Sequence, residues 1–384
     1  MRLLYLVSHP IQYQAPLLRQ IAGLPGIELF VLFETLDNAT TYHDPGFAQA
    51  ITWDVPLTDG YDHAMVRDRD HLRTEIAKSQ VLWIHGWDTR LKRKALKMAR
   101  QAGVRTLMRG ENTDAAMPDG RGLKGLLKRL YLARIFSQCD GFLCIGADNR
   151  DYYRTRGIGD ARLFAMAYTV DNAFFATRIA DAAKSRTAFR QSLNIPGDCP
   201  VILFAGKLQA RKHPLTLLRA FKALDRQKAQ QPVLIYVGDG EQRRELEAAA
   251  AGMADRVKIL GFKNQTELPA FYDLADVFVL AAEKEPWGLS VNEAMIGGCV
   301  PVVTPECGCA RDLVDARTGR IVAPGDADAL AAALAELLAD RARLAAMAAA
   351  AKDRIAGWGL DRSVAGLTAA IEGLGVGMAK STQL

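Results

Sequence analysis

The sequence predicts a two-domain α/β protein in which each domain is a Rossmann-like parallel sheet wrapped by helices. Three observations predict it: short apolar runs that each lead into a helical pattern, two such sets in series, and an intervening stretch where periodicity fades. The first set is Leu3 to Ser8, Ile27 to Phe33, Val81 to His85, Arg105 to Met108, Gly141 to Ile145 and Arg162 to Ala167. The second is Val201 to Ala205, Val233 to Val237, Val257 to Leu260, Val277 to Leu280, Pro301 to Thr304 and Arg320 to Ala323. Runs this uniformly apolar belong to strands buried on both faces, and strands alternating with helices pair in parallel.

Between the sets, Thr169 to Lys184 reads as a linker, with Asp171-Asn172 as a turn signal. The expected domains are residues 1–175 and 176–357, with a terminal helix at about 358–375 packing back on the first. Ala327 to Ala351, rich in Ala and Leu, reads as helix. Ligands are expected at the carboxyl ends of the strands.

Composition narrows the class. A chain of 384 residues exceeds one comfortable core, and 49% hydrophobic with 24% charged residues describes an ordered globular protein. No apolar run reaches the roughly 18 residues of a membrane span, and Leu3 to Val7 is too short for a signal-peptide core, so the expected compartment is the cytoplasm. The 6 cysteines are scattered, which fits buried thiols rather than a disulfide framework; the close pair Cys307 and Cys309 lacks the partners of a zinc site. No metal is expected.

Charge is unevenly shared. Residues 1–190 hold 27 Lys+Arg against 20 Asp+Glu, and the remainder 22 against 23. Arg90 to Arg134 alone carries 13 basic and 3 acidic residues. Within it, RGLKGLLKRLYLARIF (Arg121 to Phe136) sets Leu123, Leu126, Leu127, Leu130 and Ile135 broadly to one side, with Lys124, Lys128, Arg129 and Arg134 around them. Such a helix either lies on an anionic membrane, at the inner face of the plasma membrane, or packs its apolar side on the sheet. Nucleic acid is not an expected partner, because stacking aromatics are not interleaved with the basic residues.

The chemistry concentrates in two stretches. Ala281 to Met295, AAEKEPWGLSVNEAM, follows the strand Val277 to Leu280 and opens a helix near Leu289 or Ser290, which is an anion site. Free amides at Ser290 and Val291 suit a phosphate, Glu293 suits ribose hydroxyls, and Glu285 faces the cleft. In FAGKLQARKHP (Phe204 to Pro214), Lys207 and Lys212 are placed to reach one diphosphate and to stand in for a metal.

These stretches, with VGDG at Val237 to Gly240, VKILGF at Val257 to Phe262, LADVFVLAAEKEPWGLSVNEAMIGGCVPVV at Leu274 to Val303 and DLV at Asp312 to Val314, resemble glycosyltransferase family 4. The resemblance implies a GT-B fold, with two sheets facing an interdomain cleft, and retaining transfer from a nucleotide-diphosphate sugar. By position it puts Lys207 and Lys212 on the donor diphosphate, Glu285 beside the transferred sugar and Glu293 on the ribose. Gly206 and Gly238 let backbone approach the nucleotide, Gly261, Phe262 and Lys263 border the base, and Leu289 and Ser290 form the turn at the phosphates.

The first half resembles a bacterial polysaccharide-type subgroup of that family in SHPIQYQAPLLRQIA (Ser8 to Ala22), LMRGENTD (Leu107 to Asp114), IGADNRDYY (Ile145 to Tyr153) and AYTVDNAFF (Ala167 to Phe175). Many relatives carry a histidine after the fourth strand, where this chain has Arg109, Gly110 and Glu111. His9, Gln12, Tyr13, Arg109 and Glu111 are the expected acceptor-side residues. The implied function is transfer of a sugar, UDP-linked by prior, to a glycan or lipid-linked acceptor in polysaccharide or lipopolysaccharide assembly. The alternatives are a nucleotide-sugar epimerase of the same fold and a non-catalytic nucleotide-sugar-binding subunit.

Overall fold

The run RLLYLV forms β1 (Arg2–Val7), an inner strand of a seven-stranded sheet; five of its six residues are buried. The computed structural model describes residues 1–37, 41–44, 49–226 and 231–377. After β1 come α1 (Ala15–Ala22), β2 (Glu28–Phe33), β3 (Thr41–Asp44), β4 (Gln49–Thr52), β5 (Asp62–Met65), α2 (Arg69–Ala77) and β6 (Val81–His85). Next are α3 (Arg90–Gln101), β7 (Arg105–Arg109), α4 (Gly122–Phe136), β8 (Gly141–Cys144), α5 (Ala147–Arg154) and β9 (Leu163–Ala165). The sheet runs β5-β2-β1-β6-β7-β8-β9, parallel throughout; β3 and β4 form a separate pair.

The second sheet begins after α6 (Asn172–Ala183) and α7 (Arg186–Ser192). It takes in β10 (Val201–Ala205), α8 (Pro214–Arg226), β11 (Val233–Val237), α9 (Arg243–Ala249), β12 (Val257–Ile259), α10 (Leu268–Leu274) and β13 (Val277–Leu280). Then follow α11 (Leu289–Gly297), β14 (Val300–Val303), α12 (Ala310–Leu313), β15 (Arg320–Ile321), α13 (Ala327–Ala339) and α14 (Arg341–Ala356). The order is β12-β11-β10-β13-β14-β15, again all parallel. Strand order reverses direction between β1 and β6 in the first sheet and between β10 and β13 in the second, the switch points where open α/β sheets bind ligands.

By backbone contacts the chain divides into one unit of Met1–Tyr42, Val55–Thr169 and Leu360–Leu384, and another of His43–Asp54 and Val170–Gly359. The last helix, α15 (Leu360–Gly373), belongs to the first unit, burying Val364, Leu367, Ala370 and Ile371 in its core. Ser363 fixes it there, donating to the Ala167 carbonyl at 2.5 Å.

The division between the two units falls at the start of Thr169 to Lys184, between Thr169 and Val170, but most of this stretch is helix and not irregular chain. It contains α6, and the Asp171 read as a turn residue is the N-cap, its side chain accepting from the Phe174 amide at 3.0 Å. Phe175 and Ile179 supply its buried face. Ala327 to Ala351 is two helices, broken at Asp340, whose side chain caps α14 by accepting from the Arg343 amide. The edge strand β5, of sequence DHAM and largely exposed, carries no apolar run to reveal it.

Helix α4 packs one side on the sheet and leaves a row of leucines on the other. Leu132, Ile135 and Phe136 face the core and Gly125 is buried under the Asp119–Gly120 turn, whereas Leu123, Leu126, Leu127 and Leu130 are 71%, 54%, 56% and 59% exposed. Ile135 therefore belongs to the buried side and not to the leucine side. Among the described residues no helix is long and apolar enough to cross a membrane.

Candidate functional site

In the second unit the predicted donor residues stand at the carboxyl ends of β10 to β13. β10 stops at Ala205, and Gly206 follows with φ 154°; β11 stops at Val237, and Gly238 follows with φ 138°. A Cβ on Gly238 would lie 1.9 Å from the Gly206 carbonyl oxygen, so the glycine is required by the close approach of these two loops to each other. The Gly238 amide donates to the Gly261 carbonyl at 2.8 Å, adding the turn after β12 to the same platform.

Lys212 ends a short 3-10 turn, Ala210–Lys212, and His213 follows in the left-handed region at φ 53° before α8 begins. This sharp reversal returns the Lys212 side chain over Gly206, with Nζ 3.5 Å from where a Cβ on that glycine would stand. Lys212 Nζ lies 3.2 Å from Glu285 Oε2, and Arg211 Nη1 donates to the same oxygen at 3.0 Å. Lys207 opens this loop half-buried, its carbonyl accepting from the Gln209 amide. Burial pushes the Glu285 carboxyl up, but Lys212 and Arg211 outweigh it and hold its pKa below the usual range. Arg211 was not singled out from sequence; its position between two already named lysines of the loop hid it.

Glu285 is pinned through its backbone: its amide donates to the Glu306 carbonyl at 3.2 Å, and its carbonyl accepts from the Gly308 amide at 3.0 Å. Two residues on, Trp287 stacks on Trp358 at 5.7 Å and 18°, and its Nε1 donates to Asn292 Oδ1 at 3.0 Å. Gly288 caps α11 at φ 96°. The Val291 amide bonds the Gly288 carbonyl at 2.9 Å and its side chain is buried, so Val291 packs the turn and offers no free donor. Leu289 and Ser290 remain at the open first turn, where a helix of nine residues presents unbonded amides.

Glu293 is half-buried on α11 and accepts from the Tyr272 hydroxyl at 2.6 Å. Burial raises its pKa to about 7, against the lowering effect of that hydrogen bond. Gly261 and Phe262 lie after β12; the neighbouring Lys263 is paired with Glu267 at 3.1 Å. Cys307 and Cys309 are buried free thiols, Cys307 donating to the Leu280 carbonyl at 3.3 Å.

The first unit carries its own polar cluster, again at strand ends. Glu111, two residues past β7, has Oε1 3.3 Å from His85 Nε2 and accepts from Tyr13 at 3.0 Å and from Tyr168. His85 ends β6; its Nδ1 lies 3.0 Å from the Tyr5 hydroxyl and 3.2 Å from Gln14 Nε2. Burial opposes ionisation of Glu111, but its bonds to His85 and Tyr168 and the nearby Arg109 bring its pKa down to about 2. Arg109 is 1% exposed, with its guanidinium carbon 5.0 Å over the Tyr168 ring and with Nε and Nη1 unbonded. His9 bonds Ser8 Oγ at 2.9 Å, and burial lowers its pKa, helped by Lys92 and His85. Gln12 lies half-buried in the turn before α1. Sequence reasoning missed His85 and Tyr168. A histidine closing an apolar strand was the available signal for the first; for Tyr168 it was the stretch AYTVDNAFF, of which it is the second residue.

Residues 185–354 match the family model described as glycosyl transferases group 1. The chain is 37% identical over 218 residues to a D-inositol 3-phosphate glycosyltransferase of Xylanimonas cellulosilytica, covering 54% of this chain and 51% of that one. It is 33% identical over 256 residues to a GDP-mannose-dependent alpha-(1-6)-phosphatidylinositol monomannoside mannosyltransferase of Mycobacterium tuberculosis, covering 64% and 65%. The chain thus spans about half to two thirds of the length of these curated relatives. Among solved structures, HepE of Anabaena in complex with UDP aligns with a TM-score of 0.73 at 15% identity, over 97% of this chain and all of that one. The two parallel-sheet halves are those of the GT-B fold.

Proposed function

We propose that the chain is a retaining glycosyltransferase that moves a sugar from a nucleotide-diphosphate donor, UDP-linked, to a glycan or lipid-linked acceptor. Its setting is bacterial surface polysaccharide assembly at the inner face of the plasma membrane. The observation that carries this reading is the meeting of Lys212, Arg211 and Glu285 at the ends of β10 and β13, in the unit that matches group 1 glycosyltransferases. The names of the two relatives and the UDP of the structural neighbour support it.

In this reading Lys207, Lys212 and the first turn of α11 hold the diphosphate and stabilise the charge that develops as the sugar leaves, so a metal is not required. Transfer passes through an oxocarbenium-like transition state, the acceptor attacking on the face the diphosphate vacates, which preserves the anomeric configuration. Glu285 lies beside the transferred sugar and also keeps Lys212 and Arg211 in register before the donor arrives. Glu293 receives the ribose hydroxyls. In the other unit Glu111, its side chain 31% exposed and ionised, rather than the fully buried Arg109, takes the place of the relatives' histidine.

Thermal-shift screening against a panel of nucleotide sugars tests the donor site, because a ligand bound only by the folded state raises its apparent stability. A nucleotide sugar that stabilises the wild type and fails to stabilise Lys212→Ala is the expected result. Stabilisation by none would sink the reading, and stabilisation without transfer to any glycan or lipid acceptor would favour the epimerase or the non-catalytic subunit.

A further inference from the structure

Helix α4 is apolar on two opposite sides. At 100° per residue, Leu123, Leu126, Leu127, Leu130 and Arg134 fall within about one third of the circumference, and the buried Gly125, Leu132 and Phe136 fall opposite them. A helix apolar all round belongs in a core or against something other than water. Here the outer leucines lie 54% to 71% exposed, outside the buried cluster that Leu132, Ile135 and Phe136 join. A contiguous row of this kind marks an interaction surface.

What borders the row is positive. α3 and α4 together carry ten Lys or Arg and no Asp or Glu. Some of these are engaged: Lys92 pairs with Asp88, and Arg129 with Asp119. Lys94, Lys97, Arg100, Lys124 and Arg134 are exposed and have no ion pair among the described residues. An open cavity of about 510 Å³ lies between the carboxyl ends of the two helices, lined by Lys97, Arg100, Gln101, Arg134, Ser137 and Gln138. Arg134 belongs to both features, ending the leucine row and lining the cavity.

We infer that this face docks on an anionic lipid bilayer, the leucine row of α4 entering the headgroup boundary and the α3–α4 cavity receiving lipid phosphates. The inference names the surface behind the membrane placement proposed above and rests on that placement alone, not on the donor chemistry. The charge selects the occupant. A second copy docked through the same row would bring two all-basic faces together, whereas a bilayer bearing anionic headgroups complements both the row and its rim.

The test is flotation of the full chain with vesicles of phosphatidylcholine alone and of phosphatidylcholine mixed with phosphatidylglycerol. The wild type is expected on the mixed vesicles and not on the neutral ones. Lys97→Gln/Arg100→Gln/Arg134→Gln should weaken binding roughly a hundredfold, on the usual contribution of a basic side chain near an anionic surface. Leu126→Gln/Leu127→Gln/Leu130→Gln should leave only binding that salt abolishes. All six positions are exposed, so both variants should keep the wild-type melting temperature and the wild-type thermal shift with a nucleotide sugar. That second readout separates loss of docking from failure of the donor reading. Wild type absent from the mixed vesicles, either variant floating like wild type, or a dimer that the leucine variant dissolves would each overturn the inference.

Discussion

Lys212 and Glu285 form an ion pair at 3.2 Å between two loops that leave adjacent strands, and each side chain is 13% or less exposed. A buried carboxylate that has lost one of its two cations is costly, so the pair fixes the loops as well as charging the site.

Lys212→Ala should lower kcat about a hundredfold or more, the magnitude of removing one preorganised charge donor, with a smaller effect on KM. Steady-state kinetics with the donor identified by thermal shift checks it; near-normal turnover would contradict the role given to Lys212.

Glu293 makes stability depend on pH in an unusual direction. Its folded pKa of about 7 stands above the ordinary 4.5, so the folded state binds the proton more tightly than the unfolded one. The cost of ionising it is absent below about pH 4.5 and fully present above pH 7, on the order of 3 kcal/mol. Glu293→Gln should therefore melt progressively higher than wild type as pH rises from 5 to about 8, measured by paired melting curves. In the ribose-binding role proposed for Glu293, donor affinity of the wild type should rise over the same interval, since a carboxylate accepts hydroxyl hydrogen bonds better than its protonated form.

Glu111 behaves oppositely. Its pKa of about 2 is depressed, so its stabilising contribution is present above the ordinary 4.5 and is lost as pH falls toward 2. Glu111→Gln, which removes the charge facing His85 and Arg109, should cost about 3 kcal/mol at neutral pH and flatten the acid limb of unfolding. Equal acid midpoints for the two proteins would refute it.

Gly238→Ala should abolish donor-induced stabilisation, because its Cβ would meet the Gly206 carbonyl at 1.9 Å in a φ region that L side chains rarely adopt. An accompanying loss of about 2 kcal/mol or more follows from the same clash. Chemical denaturation and thermal shift together read both effects.

Much of the fold is legible in the sequence. Val201–Ala205, Val233–Val237 and Val277–Leu280 are continuous apolar runs buried on both faces, so their bounds could be read from sequence directly. The edge strand Asp62–Met65 is paired on one side only and needs no such pattern. Asp171 is ambiguous in sequence because a turn and an N-cap favour the same side chain. In the site, Lys207, Lys212 and Glu285 lie on loops announced by strand ends, whereas the Glu111 cluster draws Tyr13, His85 and Tyr168 from three segments that only folding brings together. Arg134 was read as a flank of the leucines and instead lies in line with them, since helical phase, not composition, decides its neighbours.

The Trp287–Trp358 stack bears on how fast and how selectively a donor is accepted. A loop clamped by an indole pair, a side-chain bond to Asn292 and backbone bonds to residues 306 and 308 has little freedom left to surrender when a nucleotide arrives. Recognition by such a rigid template depends on shape match from the first encounter, so discrimination among nucleotide sugars should show itself in how long each one stays rather than in how quickly it enters.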